Sequence, residues 1–275
     1  MDDVAYRERP SRYEGAVLWT KTVDGRGPAL PVLPVLPVLP VLPVLPDGCM
    51  DLIWMNGRLI VAGPDTRAHH PGTSPGGAYV GIRFFPGTAP ALLGVPAREV
   101  RDERIDLAQL WPSAVVRSLV GRLEAADRPA AALEGFVLRR AADAEPADPL
   151  MRWVVGALNA GRPVAGIADA VGLGERTLHR RSLDAFGYGP KTLARVLRMQ
   201  RALASARSGV PLAETAALTG FADQAHLSRE VRALAGIPMR ELLARSRRAR
   251  PGYPEAAGSA AYKSTPLPSG SSTTA

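Results

Sequence analysis

Apolar residues recur at every second position, in part, over three stretches of the first hundred residues: "GAVLWTKTV", "DLIWMNGRLIVAG" and "AYVGIRFFPG". Each is rich in β-branched or aromatic residues and bounded by Gly or Pro, which predicts short strands joined by turns. An antiparallel barrel or sandwich is the architecture such strands build. From about Ala89 the period lengthens. "TAPALLGVP" predicts a short helix, and "WPSAVVRSLVGRLEAA" and "ALEGFVLRRAA" predict amphipathic ones.

Beyond "DAEPADP", residues 143–149, helix punctuation is clear. Asp148 and Pro149 supply an N-cap and a first-turn proline for "LMRWVVGALNA", which Gly161 stops. "VAGIADAV" ends at Gly172, and the next helix runs from near Glu175 to Phe186 before Gly187. Pro190 opens "KTLARVLRMQRALASAR", which Gly209 stops; at about nineteen residues it would be roughly 28 Å long. "PLAETAAL", a turn at Gly220, "DQAHLSREVRALA", a stop at Gly236 and "PMRELLARSRR" then repeat the plan. Leu178 matches Leu227, Arg180 matches Arg229 and Gly187 matches Gly236 at an offset of 49, while the turn glycines match at 48.

Helix, tight glycine turn, helix is the plan of the helix-turn-helix, whose second helix enters the DNA major groove. In the later copy Leu227, Val231 and Leu234 form a stripe that must face a core. Ala225, Ser228 and Arg229 then share a face small and polar enough to approach bases. Arg176, His179 and Arg180 are its equivalent in the earlier copy, with Leu178, Ala185 and Phe186 packed inward and Ser182 interrupting the stripe. A guanidinium donates two parallel hydrogen bonds to guanine O6 and N7, so Arg180 and Arg229 are the first choices for base reading. Gln224 suits adenine or a phosphate. Arg181, Arg195 and Arg232 are placed for backbone phosphates, which set register without reading sequence. Any one of these arginines fits a solvated helix face equally well; the matched units point to DNA.

Charge sharpens this picture. The formal net charge is +8, but residues 1–150 hold 16 Lys/Arg against 18 Asp/Glu, whereas residues 151–250 hold 17 against 7. A basic block favours a polyanionic partner. No basic segment leads into an apolar one at the N-terminus, and Cys49, the single cysteine, allows no internal disulfide; both favour the cytoplasm and no membrane contact. The five PVL triplets of residues 31–45 forbid a helix and suit an extended or polyproline II-like loop. Deleting the repeat should leave DNA binding unchanged. The tail from residue 249, rich in Gly, Pro, Ser and Thr, reads as disordered.

Residues 151 to about 248 resemble the DNA-binding domain of AraC-type transcription regulators. The resemblance rests on "IADAVGLGERTLHRRSLDAFGYGPKTLARVLRMQRAL" and "LAETAALTGFADQAHLSREVRALAGIPMRELL", above all on "GFADQAHLSRE" followed by "GIP". It implies two helix-turn-helix units joined by a long helix and set in adjacent major grooves. Base contacts carried over by position fall on Arg176, His179, Arg180, Gln224, Ala225, Ser228 and Arg229. Gly174 departs from the family, which usually places a serine or another capping residue there. "LPDGCMDLIW", "VAGPDT" and "GIRFFPGTAPALLGVP" are similar to sensor-like domains that precede this block in one subgroup. The expected fold is therefore α+β: a cupin-like antiparallel β-barrel with short helices over residues 1–142, a linker at 143–149, and an all-α DNA-binding domain over 150–248.

The expected function is a one-component transcription regulator that binds double-stranded DNA, with no cofactor. A small-molecule effector and RNA polymerase are candidate partners, and the chain is a monomer or homodimer. Two alternatives stand beside it: a cupin-type metal-dependent enzyme fused to a DNA-binding block, and a regulator whose first domain only dimerises. Adjacent His69 and His70 would point to opposite faces of a strand and read as loop residues; Cys49 reads as a small buried side chain. Trp19, Trp54, Phe84 and Phe85 read as core. DNA-repair methyltransferases that carry this block need several cysteines, which argues against them.

Overall fold

Each of the three alternating stretches contributes one or two strands to a single sheet. The computed structural model describes residues 4–23, 43–70 and 77–248; most of the PVL repeat and the whole tail lie outside the described residues. The strands are β1 (Val4–Pro10), β2 (Ala16–Val23), β3 (Met50–Met55), β4 (Arg58–Ala62), β5 (Gly77–Phe84) and β6 (Arg104–Asp106). They pair antiparallel throughout in the order β1-β2-β5-β3-β4-β6. Asn56 and Gly57, with φ of 47° and 70°, make the two-residue turn between β3 and β4. Two positive φ values match the right-handed twist of a hairpin.

The α+β class and the antiparallel sheet are as expected, but closure is not: among the described residues β1 and β6 are free edges, so the sheet is an open one. Both edge strands escaped the periodicity reading. β1 is "VAYRERP", polar and ending in proline, and β6 is three residues long. Edge strands are characteristically charged, short or proline-bearing, which erases the alternation.

Alternation gives the sheet two unlike faces. Leu18, Leu52, Val61, Val80, Ile82 and Phe84 point to one side and form a core with helices α1 (Ala89–Leu93), α2 (Ser113–Glu124) and α3 (Pro129–Ala142) through Leu92, Leu119, Leu123, Leu133 and Val137. On the other side Trp19 lies flat across β5, and its Nε1–H donates to Asp51 Oδ1 on β3 at 2.7 Å. Only glycine permits this at position 81, since a Cβ there would come within 2.2 Å of the indole. Phe84 lies in the core as expected and Trp54 packs against it half-buried, whereas Trp19 is buried on the opposite face and Phe85 is only half-buried and outside the core; buried Cys49 has its thiol pushed well up by burial.

Among the described residues seven helices follow: α4 (Pro149–Asn159), α5 (Val164–Ala170), α6 (Glu175–Phe186), α7 (Pro190–Arg207), α8 (Leu212–Leu218), α9 (Gln224–Ala235) and α10 (Met239–Arg248). They enclose two separate cores. Leu193 and Leu197 turn one face of α7 into a core with α4 and α6, while Val196, Met199, Leu203 and Ala206 turn another into a core with α8, α9 and α10. One helix is thus shared by two packed units. At 18 residues it spans about 27 Å. No helix among the described residues is long and apolar enough to cross a membrane.

Candidate nucleic-acid interface

α5 with α6, and α8 with α9, are two copies of one motif. Each second helix has 12 residues and ends on a glycine in the left-handed conformation, Gly187 and Gly236. α6 buries Leu178, Ser182 and Phe186; α9 buries Leu227, Val231, Leu234 and Ala235. Ser182 therefore occupies the site that Val231 fills in the other copy, and its hydroxyl is buried without a hydrogen-bond partner. The helix starts differ as well. Asp223 caps α9 by accepting the His226 N–H at 2.6 Å, whereas Gly174 begins α6 with no side-chain cap.

The opposite faces are cationic and open. Arg176, Arg180, Arg229 and Arg232 are exposed, and none makes a hydrogen bond or ion pair among the described residues. Ala225 lies exposed beside Arg229, one turn before it. Gln224 and Ser228 are half-buried at the rim, with the Ser228 hydroxyl donating to the Gln224 carbonyl at 2.8 Å. His179 is exposed, but its ring leans against the start of α7, where a Cβ on Gly189 would fall 2.5 Å from Cε1. His226 packs edge-on against Phe221, and its Nδ1 accepts the Ala222 N–H.

Arg181 and Arg195 stand apart from this open set. Arg181 donates to Asp148, the N-cap of α4, at 2.5 Å. Arg195 on α7 donates twice to Glu230 on α9, at 2.9 and 3.3 Å. That hydrogen bonding holds the Glu230 carboxyl below its usual range. Arg198, one turn along α7, stacks on Phe221 with its guanidinium 4.4 Å from the ring centroid and donates to the Gly220 carbonyl, so the linking helix also grips the turn of the second motif. Periodicity could not have found these ties, because their partners are 22 to 35 residues apart in sequence.

His69 makes a one-residue backbone bridge with Val44, and His70 is exposed. Among the described residues no group of three or more His, Cys, Asp or Glu is placed to hold a metal ion.

Two helix-turn-helix motifs sharing a linking helix define a DNA-binding architecture. Residues 167–245 match the family described as a helix-turn-helix domain, and residues 38–106 match a domain of unknown function, DUF6597. The C-terminal block is a helix-turn-helix domain of the AraC type. No curated protein sequence matches the chain. Among solved structures, ToxT from Vibrio cholerae O395 is similar at 11% identity and a TM-score of 0.42, over 89% of this chain and 97% of that one. Wild-type ToxT from Vibrio cholerae strain SCE256, solved with an unsaturated fatty acid bound, is similar at 10% identity and a TM-score of 0.42, over 88% of this chain and 94% of that one.

Proposed function

We propose that the protein is a sequence-specific DNA-binding transcription regulator. In this reading residues 150–248 read two successive major-groove segments, and residues 1–142 sense a small molecule or hold a second copy of the chain. One observation carries it: two equal helices present arginines at equivalent positions, Arg180 and Arg229, exposed and without a partner among the described residues. Exposed arginines without partners on matching helices are what base and phosphate contacts require. The shared helix suits the task, since about 27 Å plus the widths of the packed motifs approaches the 34–36 Å repeat of grooves along one side of a duplex.

Arg180 and Arg229 are assigned to guanine, with Arg176, His179, Gln224, Ala225 and Ser228 lining the same two faces. Arg232 is assigned to phosphate. For Arg181 and Arg195 a phosphate role requires the guanidinium to be shared with Asp148 or Glu230, and holding the reading helices in place is the role their geometry favours. No catalytic role is assigned, and a regulator of this kind acts where the chromosome and RNA polymerase are, in the cytoplasm. Selection of duplexes from a random-sequence pool, followed by footprinting, tests the reading. Two protected segments one helical turn apart are expected; equal binding to all duplexes would overturn it.

A further inference from the structure

Four consecutive residues, the last of the proline repeat and the three after it, touch both motif cores and the helix between them. Leu45 packs into the core of the second motif. The Pro46 carbonyl accepts the Nε2–H of Gln200, a buried side chain in the middle of α7, at 2.5 Å. Asp47 turns the other way, to within 3.8 Å of Arg83 Nε on β5, and Arg83 also holds Asp51, the acceptor of the Trp19 indole. Gly48, with φ of +82°, presses on the first motif: a Cβ there would lie 3.0 Å from Leu193 Cδ1 and 3.6 Å from the Tyr188 hydroxyl.

The ends of both reading helices are held from the same side. Arg101, just past the 3₁₀ turn Ala97–Val100, donates to the Gly187 carbonyl at the end of α6 at 3.3 Å, and Arg98 in that turn pairs with Asp184. The Ala68 N–H donates to the Leu234 carbonyl in the last turn of α9 at 2.7 Å. Carbonyls at a helix end lack partners within the helix, so donors brought from elsewhere both satisfy and locate them.

The two buried clusters are separate and both draw on α7, and packed units that share one helix keep a freedom to bend about it. A second tie, off the helix axis, removes that freedom. We propose that residues 45–48 are a positioning brace which fixes the phase between α6 and α9, so that the sheet-bearing part of the chain sets the half-site spacing the protein accepts. This rests on the DNA reading above only for its consequence; the brace itself is a property of the free protein. Through Asp47 and Arg83 the brace is continuous with the Trp19 face of the sheet, which gives a change at that face a direct route to the reading helices.

The test uses the full chain carrying Glu175→Cys and Ala233→Cys, both exposed and outside the assigned contacts, with spin labels and distances measured without DNA. Gln200→Met keeps the side-chain volume and removes the donor to Pro46; Leu45→Ala removes the anchor in the second core; Val44→Ala, a change at the exposed neighbour, is the control. The distance distribution is narrow in the parent and control and widens about twofold in both brace variants as further orientations become populated. On a duplex selected from a random pool, moving the half-sites by about two base pairs rotates one by roughly 70° about the duplex axis. The parent then loses about tenfold in affinity and the brace variants about twofold, with binding to a single half-site unchanged. Unchanged distances in both variants overturn the brace. Widened distances with an unchanged spacing preference overturn its role in reading. A chain that selects no duplex defeats the proposed function, and the distance measurement still decides the brace.

Discussion

Arg195 on α7 and Glu230 on α9 are joined by two hydrogen bonds, and position 230 corresponds, at the offset of 49, to Arg181 in the earlier motif. Arg181 is itself tied to Asp148, at the head of α4. The same position on each reading helix is thus strapped to a preceding element with the charges reversed. Removing Arg195 or removing Glu230 should therefore do similar harm. Both Arg195→Ala and Glu230→Ala are expected to weaken binding to a selected duplex while leaving the salt dependence unchanged, whereas Arg232→Ala lowers the salt slope by about 1. Salt titrations of the three variants decide. Tighter binding by Glu230→Ala, as removal of a repelling charge alone would give, counts against a strap.

Arg180→Ala and Arg229→Ala should each weaken binding to a selected duplex by about 1 to 3 kcal/mol and relax preference at one base pair, with little effect on random DNA. Equal losses on both kinds of duplex would take base reading away from these two residues.

Ser182→Ala should stabilise the protein by about 1 kcal/mol, because it deletes a buried hydroxyl with no partner and raises helix propensity. A urea midpoint that moves down instead would mean that the hydroxyl is satisfied in solution.

Helix starts offer a matched pair of tests. Asp223→Ala, which removes the cap of α9, should cost about 1 kcal/mol, and Gly174→Ser, at φ −64° and ψ 147° with open space around it, should add a few tenths. Thermal melts of the two variants shifting in opposite directions are the expected outcome.

Acid should loosen the sheet-bearing part through Glu134. Buried on α3, it accepts from Arg9 at 3.0 and 2.9 Å, from the Ser11 hydroxyl and from the Arg12 N–H, and the Arg9 hydrogen bonds above all hold its carboxyl down at about 2. A folded value below the unfolded one of about 4.3 makes its contribution complete above that pH. The contribution then declines as the pH falls toward 2. Glu134→Gln should lower stability at neutral pH and reduce its change between neutral and acid conditions, measured by urea unfolding at each pH.

Periodicity and punctuation made most helices legible, since caps, glycine stops and apolar stripes act within a few residues: α6 and α9 end at Gly187 and Gly236, and Leu227, Val231 and Leu234 are buried as their spacing requires. Edge strands β1 and β6 were not legible, because an edge has only one neighbour to satisfy and carries little alternation. The proline repeat was legible only as a loop. Its last triplet contributes Leu45 to the second core and Val44 to a bridge with His69. A deletion reaching Leu45 should therefore disturb the reading helices even if loss of the earlier triplets does not.

Local rules written in neighbouring residues suffice for the twin motifs, for the cationic faces and for the stiff helix between them, because helix caps, stripes and turns are short-range forces. Folding alone settles which arginines are spent on Asp148 and Glu230, that the sheet stays open, and that residues 45–48 wedge between the motifs. Those outcomes depend on groups far apart in the chain competing for the same donors and the same buried space, and no window of sequence contains both competitors.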